Sequence, residues 1–301
     1  MLASLLNDLA LVPDVEILIT RDKRLMALPC KVDTYWMDPQ EDVWMCWERC
    51  IVQCDAVWPI APESGGALER LSRMALDHGK CLLGSSPQAV AVTASKSATL
   101  TQLAAAGVPV VPTWRASDLA VSEAGPWVAK PDDGVGCEDA RLFQSVEEMS
   151  AWLAQGGRWS SHVVQPLIAG EAASLSMLCR DGQAWLMSCN RQLVRLRQGE
   201  FEYMGSELNG MARYWNDFSV LASTVAGAIP GLAGYAGVDV MVCDDGLKVL
   251  EVNPRLTTSY AGLHRAAGAN PAWMVLDLLY NHTFNSLPDL ARNVVTISLN
   301  E

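Results

Sequence analysis

The sequence predicts a mixed architecture, α/β giving way to α+β, in which an amino-terminal doubly wound domain leads into two further lobes. Three observations carry this. Apolar strands and helices alternate over residues 1–92, the pattern of a parallel sheet with right-handed crossovers. A second, smaller alternation occupies 93–166. Over 167–301 strands dominate, and they converge on a hairpin from Tyr235 to Arg255.

Taken in order, Leu2 to Leu11 reads as a helix and Val15 to Thr20 as a strand. Asp42 to Gln53 is a helix. Asp55 to Ile60 is a strand, followed by Ala61-Pro62-Glu63-Ser64-Gly65-Gly66, a helix to His78 and a short strand from Cys81 to Leu83. A doubly wound domain usually opens with a central strand, and none precedes Leu2. The expectation is that the natural chain begins upstream of Met1 with such a strand, or that another subunit completes the sheet. In the middle lobe, Thr93 to Ala106 is a helix closed by Gly107. Val108 to Thr113, Trp127 to Lys130 and His162 to Ile168 are strands, with a helix from Val146 to Ala154. The last lobe reads as strands Ala173 to Cys179 and Ala184 to Arg195, a helix from Ala212 to Ala228, the hairpin, and a closing helix from Pro271 to Asn281, with proline in its first turn.

Composition removes several classes of function. A net charge of −12 and the lack of any basic run argue against a nucleic-acid partner, because phosphate contacts need clustered Lys and Arg. The uncharged run Ser219 to Val238 holds Pro230 and several glycines and reads as helix, turn and strand rather than a membrane span. Nine cysteines without paired spacing suit reduced thiols in a cytoplasm. Cys46, Cys50 and Cys54 recur at helical spacing beside Trp47 and Ile51, and read as a buried helix face rather than a metal site.

The hairpin concentrates the chemistry. A three-residue loop, Asp244-Asp245-Gly246, with glycine at its left-handed last position, sets Asp239 opposite Glu251 and Asn253 opposite Gly237. Opposed residues share a face. A two-residue loop would separate the carboxylates onto opposite faces. Two acids and an amide among apolar neighbours need a compensating cation, and hard oxygens at this spacing suit Mg²⁺. The alternative is a hairpin with its acids in water.

Asp239 followed by Glu251-x-Asn253-Pro254-Arg255 resembles the metal-binding end of the ATP-grasp ligases. The continuation Thr257-Thr258-Ser259-Tyr260 resembles their tyramine–glutamate ligase branch, which serves methanofuran and methylofuran biosynthesis. The resemblance implies an ATP-grasp fold with a pre-ATP-grasp domain. It also implies ATP and Mg²⁺ as cofactors, with Mn²⁺ as a substitute, and small-molecule substrates joined as an amide through an acylphosphate. A homodimer is left open, and so are a ligase for another acid–amine or dipeptide pair and an ATP-binding subunit without turnover.

Other residues acquire roles from the same resemblance. Lys96 stands near a helix start, where a cation opposes the helix dipole and calls for a partner. Lys130 ends an apolar strand before Gly134-Val135-Gly136-Cys137, a loop whose amides can approach phosphate. Both lysines, with Gly134 and Gly136, match the phosphate-holding positions, although relatives commonly carry glycine where Cys137 stands. Gln165 to Glu171 resembles the hinge that reads adenine. Gln165 replaces a frequent Glu, Ile168 contributes backbone groups, and Glu171 matches the ribose-binding acid. Arg191 and Arg255 suit a triphosphate or a substrate carboxylate, since guanidinium grips both bidentately; for Arg191 a structural salt bridge is the equal alternative. Thr257, Thr258, Ser259 and Tyr260 are expected to line the acceptor pocket, with a capped loop as the equal alternative. Glu63, at a strand's carboxyl end before a helix, is expected either to meet substrate or to cap that helix.

Overall fold

The computed structural model describes all residues except 31, 119–124, 135 and 300–301. Its first part contains α1 (Leu2–Leu9), β1 (Leu18–Asp22), β2 (Asp33–Met37), α2 (Val43–Gln53), β3 (Ala56–Val57), α3 (Ala67–Asp77), β4 (Cys81–Leu82) and α4 (Pro87–Thr93). Asp42 starts α2 by accepting hydrogen bonds from the amides of Trp44 and Met45, and Ser86 starts α4 through Ala89. The strands pair in parallel, as the alternation requires, but as two separate pairs, β1 with β2 and β3 with β4.

The middle part contains α5 (Lys96–Ala105), β5 (Trp114–Arg115), β6 (Trp127–Pro131), β7 (Arg141–Phe143), α6 (Val146–Leu153) and β8 (His162–Pro166). The expected strand over Val108 to Thr113 is reduced to one bridge, Val110 with Val249. Pro109 and Pro112 cannot donate to a ladder, which explains the loss. The last part contains β9 (Glu171–Arg180), β10 (Gln183–Arg197), β11 (Glu200–Leu208), α7 (Trp215–Ala228), β12 (Gly234–Cys243), β13 (Gly246–Asn253), α8 (Tyr260–Ala267), α9 (Pro271–Leu279) and β14 (Val295–Ser298).

One ten-stranded sheet unites these two parts in the order β13-β12-β9-β10-β11-β7-β6-β8-β5, with β14 added alongside β11. It passes from one lobe to the other where β11 meets β7, at Glu200 opposite Arg141. The chain makes the return crossing between β8 and β9. Alternation then decides which side chains meet. Val238 and Val240 on β12, with Val249 and Val252 on β13, enter a core shared with Leu100 and Leu103 of α5 and Phe218 and Val225 of α7. The opposite face packs on Leu263 of α8, Val275 of α9 and Leu5 of α1. A smaller core around Trp127, Phe143, Met149 and Leu153 supports the middle lobe.

The hairpin differs from expectation at its turn. Cys243 pairs with Gly246, so the loop is the two residues Asp244 and Asp245. A β-bulge between Asp239 and Val240 then leaves Leu250 as an extra residue, and Asp239 faces Glu251 and Gly237 faces Asn253 after all. The bulge restores the one-residue offset that the shorter turn removes.

Candidate active site

Between the lobes lies a cavity of about 560 Å³, lined by residues of β6, β8, β9, β12 and β13. Asp239, Glu251 and Asn253 form one wall. Burial, followed by the charge of Glu251, raises the Asp239 carboxyl well above the usual carboxylate range. Burial also acts to raise Glu251, but the positive charges of Lys96 and Lys130 outweigh it and hold that carboxyl low. Gln192 donates from Nε2 to Asp239 Oδ1 at 2.9 Å. Among the described residues no three His, Cys, Asp or Glu side chains form a metal cage. Two carboxylates and an amide oxygen nevertheless fit Mg²⁺, which normally completes its shell with water and phosphate oxygens.

The facing wall is cationic. Ser95 caps α5 through the amide of Ala98, while Asp132 accepts from Ser95 Oγ at 2.7 Å and from the amide of Ser97 at 2.8 Å. This fixes Lys96, the first residue of α5, with Nζ 2.5 Å from the Gly134 carbonyl and 3.5 Å from Glu251 Oε2. Lys130, near the end of β6, also lines the cavity, and burial pushes its ammonium below the usual lysine range against the pull of Glu251. Gly134, Gly136 and Cys137 lie on the cavity rim; Val135 of that loop falls outside the described residues. Cys137 takes a positive φ of 65°, the conformation glycine adopts freely, and burial raises its thiol to about 11.

The remaining expected residues divide. Gln165, Ile168, Thr257, Thr258 and Ser259 line the cavity. Tyr260 does not. It is 1% exposed and packs edge-on against Tyr235 at 5.6 Å, because it is the first residue of α8 and turns into the core. Arg191 also misses the lining. Alternation directs it to the face opposite Gln192, where it bonds Glu171 at 2.7 Å and Glu207 at 2.9 Å. Glu171 lines the cavity edge, yet its two oxygens engage Arg191 and Arg213. Arg255 faces the cavity with its Nε held 2.7 Å from Glu63 and Nη2 3.3 Å from Asn253 Oδ1. Glu63 is 5% exposed, so this is an enclosed ion pair tying the amino-terminal domain to the acid wall.

Sequence reasoning passed over Gln192, Tyr203 and Thr113. For Gln192 the signal was available, since strand alternation sets it on the face opposite Arg191. Tyr203 lines the cavity from β11, a strand whose alternation Glu200-Phe201-Glu202-Tyr203 is legible in retrospect. Thr257 is held from beneath: its Oγ1 lies 2.9 Å from the Tyr235 hydroxyl, which lies 2.9 Å from Ser176 Oγ. Gly237 makes room, since a Cβ there would stand 2.7 Å from Thr257 Cγ2.

A curled sheet spanning two lobes, with paired acids facing lysines across the gap, defines the class of protein. The comparisons agree with it. The family model described as the ATP-grasp domain matches residues 93–259, and the pre ATP-grasp 3 domain matches 15–90; the chain belongs to the ATP-grasp family. The tyramine–L-glutamate ligase of Methanocaldococcus jannaschii is 33% identical over 112 residues, covering 36% of this chain and 35% of that protein. The matched segment thus spans about a third of that relative. Among solved structures, an ATP-grasp superfamily protein from Archaeoglobus fulgidus superposes with a TM-score of 0.63 at 23% identity, covering 89% of this chain and 82% of that one. The D-alanine–D-alanine ligase of Bacillus anthracis, complexed with ATP, gives 0.65 at 17% identity, covering 88% and 96%.

Proposed function

We propose that this chain is an ATP-dependent carboxylate–amine ligase, and that its substrates are L-glutamate and tyramine. The observation that carries the reading is the apposition of Lys96 and Lys130 with Asp239, Glu251 and Asn253 across one cavity. Lys96, buried, and Lys130, half-buried, face half-buried acids, and a phosphate chain between them would satisfy both walls.

In this reading Lys96, Lys130 and the amides of Gly134 and Gly136 hold the phosphates. Asp239, Glu251 and Asn253 hold Mg²⁺, with Mn²⁺ as a substitute. The metal supplies charge neutralisation on the transferring phosphoryl group. A substrate carboxylate oxygen bonds to the γ-phosphorus as the bond to ADP breaks. The amine nitrogen then bonds to the acyl carbon, phosphate leaves with the electron pair, and the amine's proton passes to the departing phosphate. Arg255, oriented by Glu63, is placed to hold the carboxylate or the departing phosphate. Thr257, Thr258 and Ser259 border the same end. Nothing in the scheme needs a protein nucleophile, and positioning with charge carries the catalysis.

No helix among the described residues is long and apolar enough to cross a membrane. The nine cysteines stand as free thiols, which supports a reducing, cytoplasmic setting. The lobe boundaries 1–92, 93–166 and 167–301 belong to the same proposal.

The test is ADP release from the full chain with ATP and Mg²⁺, scored across acids and amines. Release that requires both L-glutamate and tyramine is expected. Release with another pair keeps ligation and discards these substrates. Absence of release with every acid–amine pair contradicts ligation itself.

A further inference from the structure

We propose that Thr113 decides which purine the cavity accepts. By orienting the Gln165 amide, it selects a 6-aminopurine nucleotide over a 6-oxopurine one. The inference rests on the reading of the cavity as a nucleotide site.

The cavity lining holds charged groups, Lys96, Lys130, Asp239 and Glu251 among them, and apolar ones, Val111, Val128, Leu167 and Leu250. Lys96 lies 3.5 Å from Glu251, whereas Gln165 stands opposite Val128 on the paired strands. In the nucleotide reading the phosphates go to the charged groups and the base to the apolar ones beside Gln165. Gln165, on β8, is the buried amide there, only 3% exposed. In an apolar slot a base edge is discriminated by the polar groups that meet it, because an unpaired one is costly.

The polarity of that amide follows from counting protons. The Thr113 hydroxyl donates to the Val111 carbonyl at 2.8 Å. It has one proton and has used it, so toward Gln165 it can only accept. Gln165 therefore turns its NH₂ to Thr113, with Nε2 at 2.7 Å from Oγ1. Rotating the amide would set a carbonyl oxygen against the hydroxyl's lone pairs. Gln165 Oε1 is thus the amide atom left over. It has no hydrogen-bond partner among the described residues and is not sealed from the cavity. An exocyclic 6-amino group donates to such an oxygen, whereas a 6-oxo group brings a second acceptor against it. Thr113 does not line the cavity, so it is a positioning residue acting through Gln165.

The experiment is calorimetric titration of the full chain with Mg·ATP and with Mg·ITP. Wild type is expected to prefer ATP by at least about tenfold, the scale of one unpaired buried polar group. Thr113→Val frees the amide to rotate, and the preference should fall to within about threefold, chiefly because ITP binds better. Thr113→Ser should restore it, and Gln165→Met should abolish it. A purely structural role for Thr113 would weaken both nucleotides alike and leave the ratio unmoved. An unchanged ratio in Thr113→Val or in Gln165→Met overturns this inference while leaving the nucleotide reading intact. Failure of wild type to bind either nucleotide overturns both.

Discussion

The acid wall and the cation wall of the cavity are built from different kinds of local structure. Asp239, Glu251 and Asn253 project from paired strands, and their common face depends on a register that a bulge has to restore. Lys96 and Lys130 come instead from a helix start and a strand end. Lys96 is fixed by its helix cap, Ser95, and by Asp132, which reaches the same turn from just beyond β6. Acids placed by one strand register stand or fall together. Cations carried on separate elements can be removed singly. The two walls also differ in charge balance: burial works against charge on Lys130 and Asp239, whereas Glu251 is held charged by both lysines.

The two walls meet most directly at Glu251, which feels the charge of both lysines. Glu251→Gln should leave the fold intact and lower turnover by about a thousandfold or more, since it removes charge from the phosphoryl-transfer centre. Initial-rate assays of ADP release beside a melting curve check this. Next comes the pair that joins the acid wall to the amino-terminal domain. Glu63→Ala strands an enclosed guanidinium and should cost about 3 kcal/mol of stability, read by urea denaturation. Wild-type stability in that variant would mean that the neutral contacts of Arg255, to Asn253 Oδ1 and the Leu256 carbonyl, suffice without the ion pair.

Smaller effects sharpen the contrast. Lys130→Met should reduce ATP-dependent thermal stabilisation and slow turnover by about thirty- to a hundredfold, the loss of one charge-assisted phosphate contact. Lys96 should remain in place in that variant. The slightest change concerns Asp239, whose carboxyl titrates above the unfolded value, so the folded chain holds its proton over a window where the unfolded chain does not. Without metal, stability attributable to this group therefore falls as pH rises from the ordinary carboxylate range through the raised folded value. Asp239→Asn removes that cost and should raise the melting temperature in EDTA at pH 8 by about 2–3 °C. At pH 4 the gain should vanish, and a gain independent of pH would contradict the assigned titration.

The facing of Asp239 and Glu251 was legible from the sequence, but by a route the structure does not take. A three-residue turn and a two-residue turn followed by a bulge give the same register at the acids, and nothing about Leu250 announces that it is the extra residue. Lys96 and Lys130 were legible because each closes or opens an element with clear ends. Tyr260 was not, since Thr257-Thr258-Ser259-Tyr260 reads as a continuous loop until a helix begins at Tyr260 and turns its ring inward. Arg191 was ambiguous for a physical reason. Strand alternation gives two faces, but only the pairing partners, Glu171 and Glu207, reveal which face meets the cavity. Glu63 and Arg255 lie 192 residues apart, and no periodicity links them.

In the proposed function the acid wall holds a metal against nucleotide phosphates. The most direct test is calorimetric titration of wild type and Glu251→Gln with ATP, each with and without Mg²⁺. Tighter ATP binding with Mg²⁺ in wild type, and no Mg²⁺ effect in Glu251→Gln, is the predicted result. A Mg²⁺ effect of equal size in both proteins would contradict it.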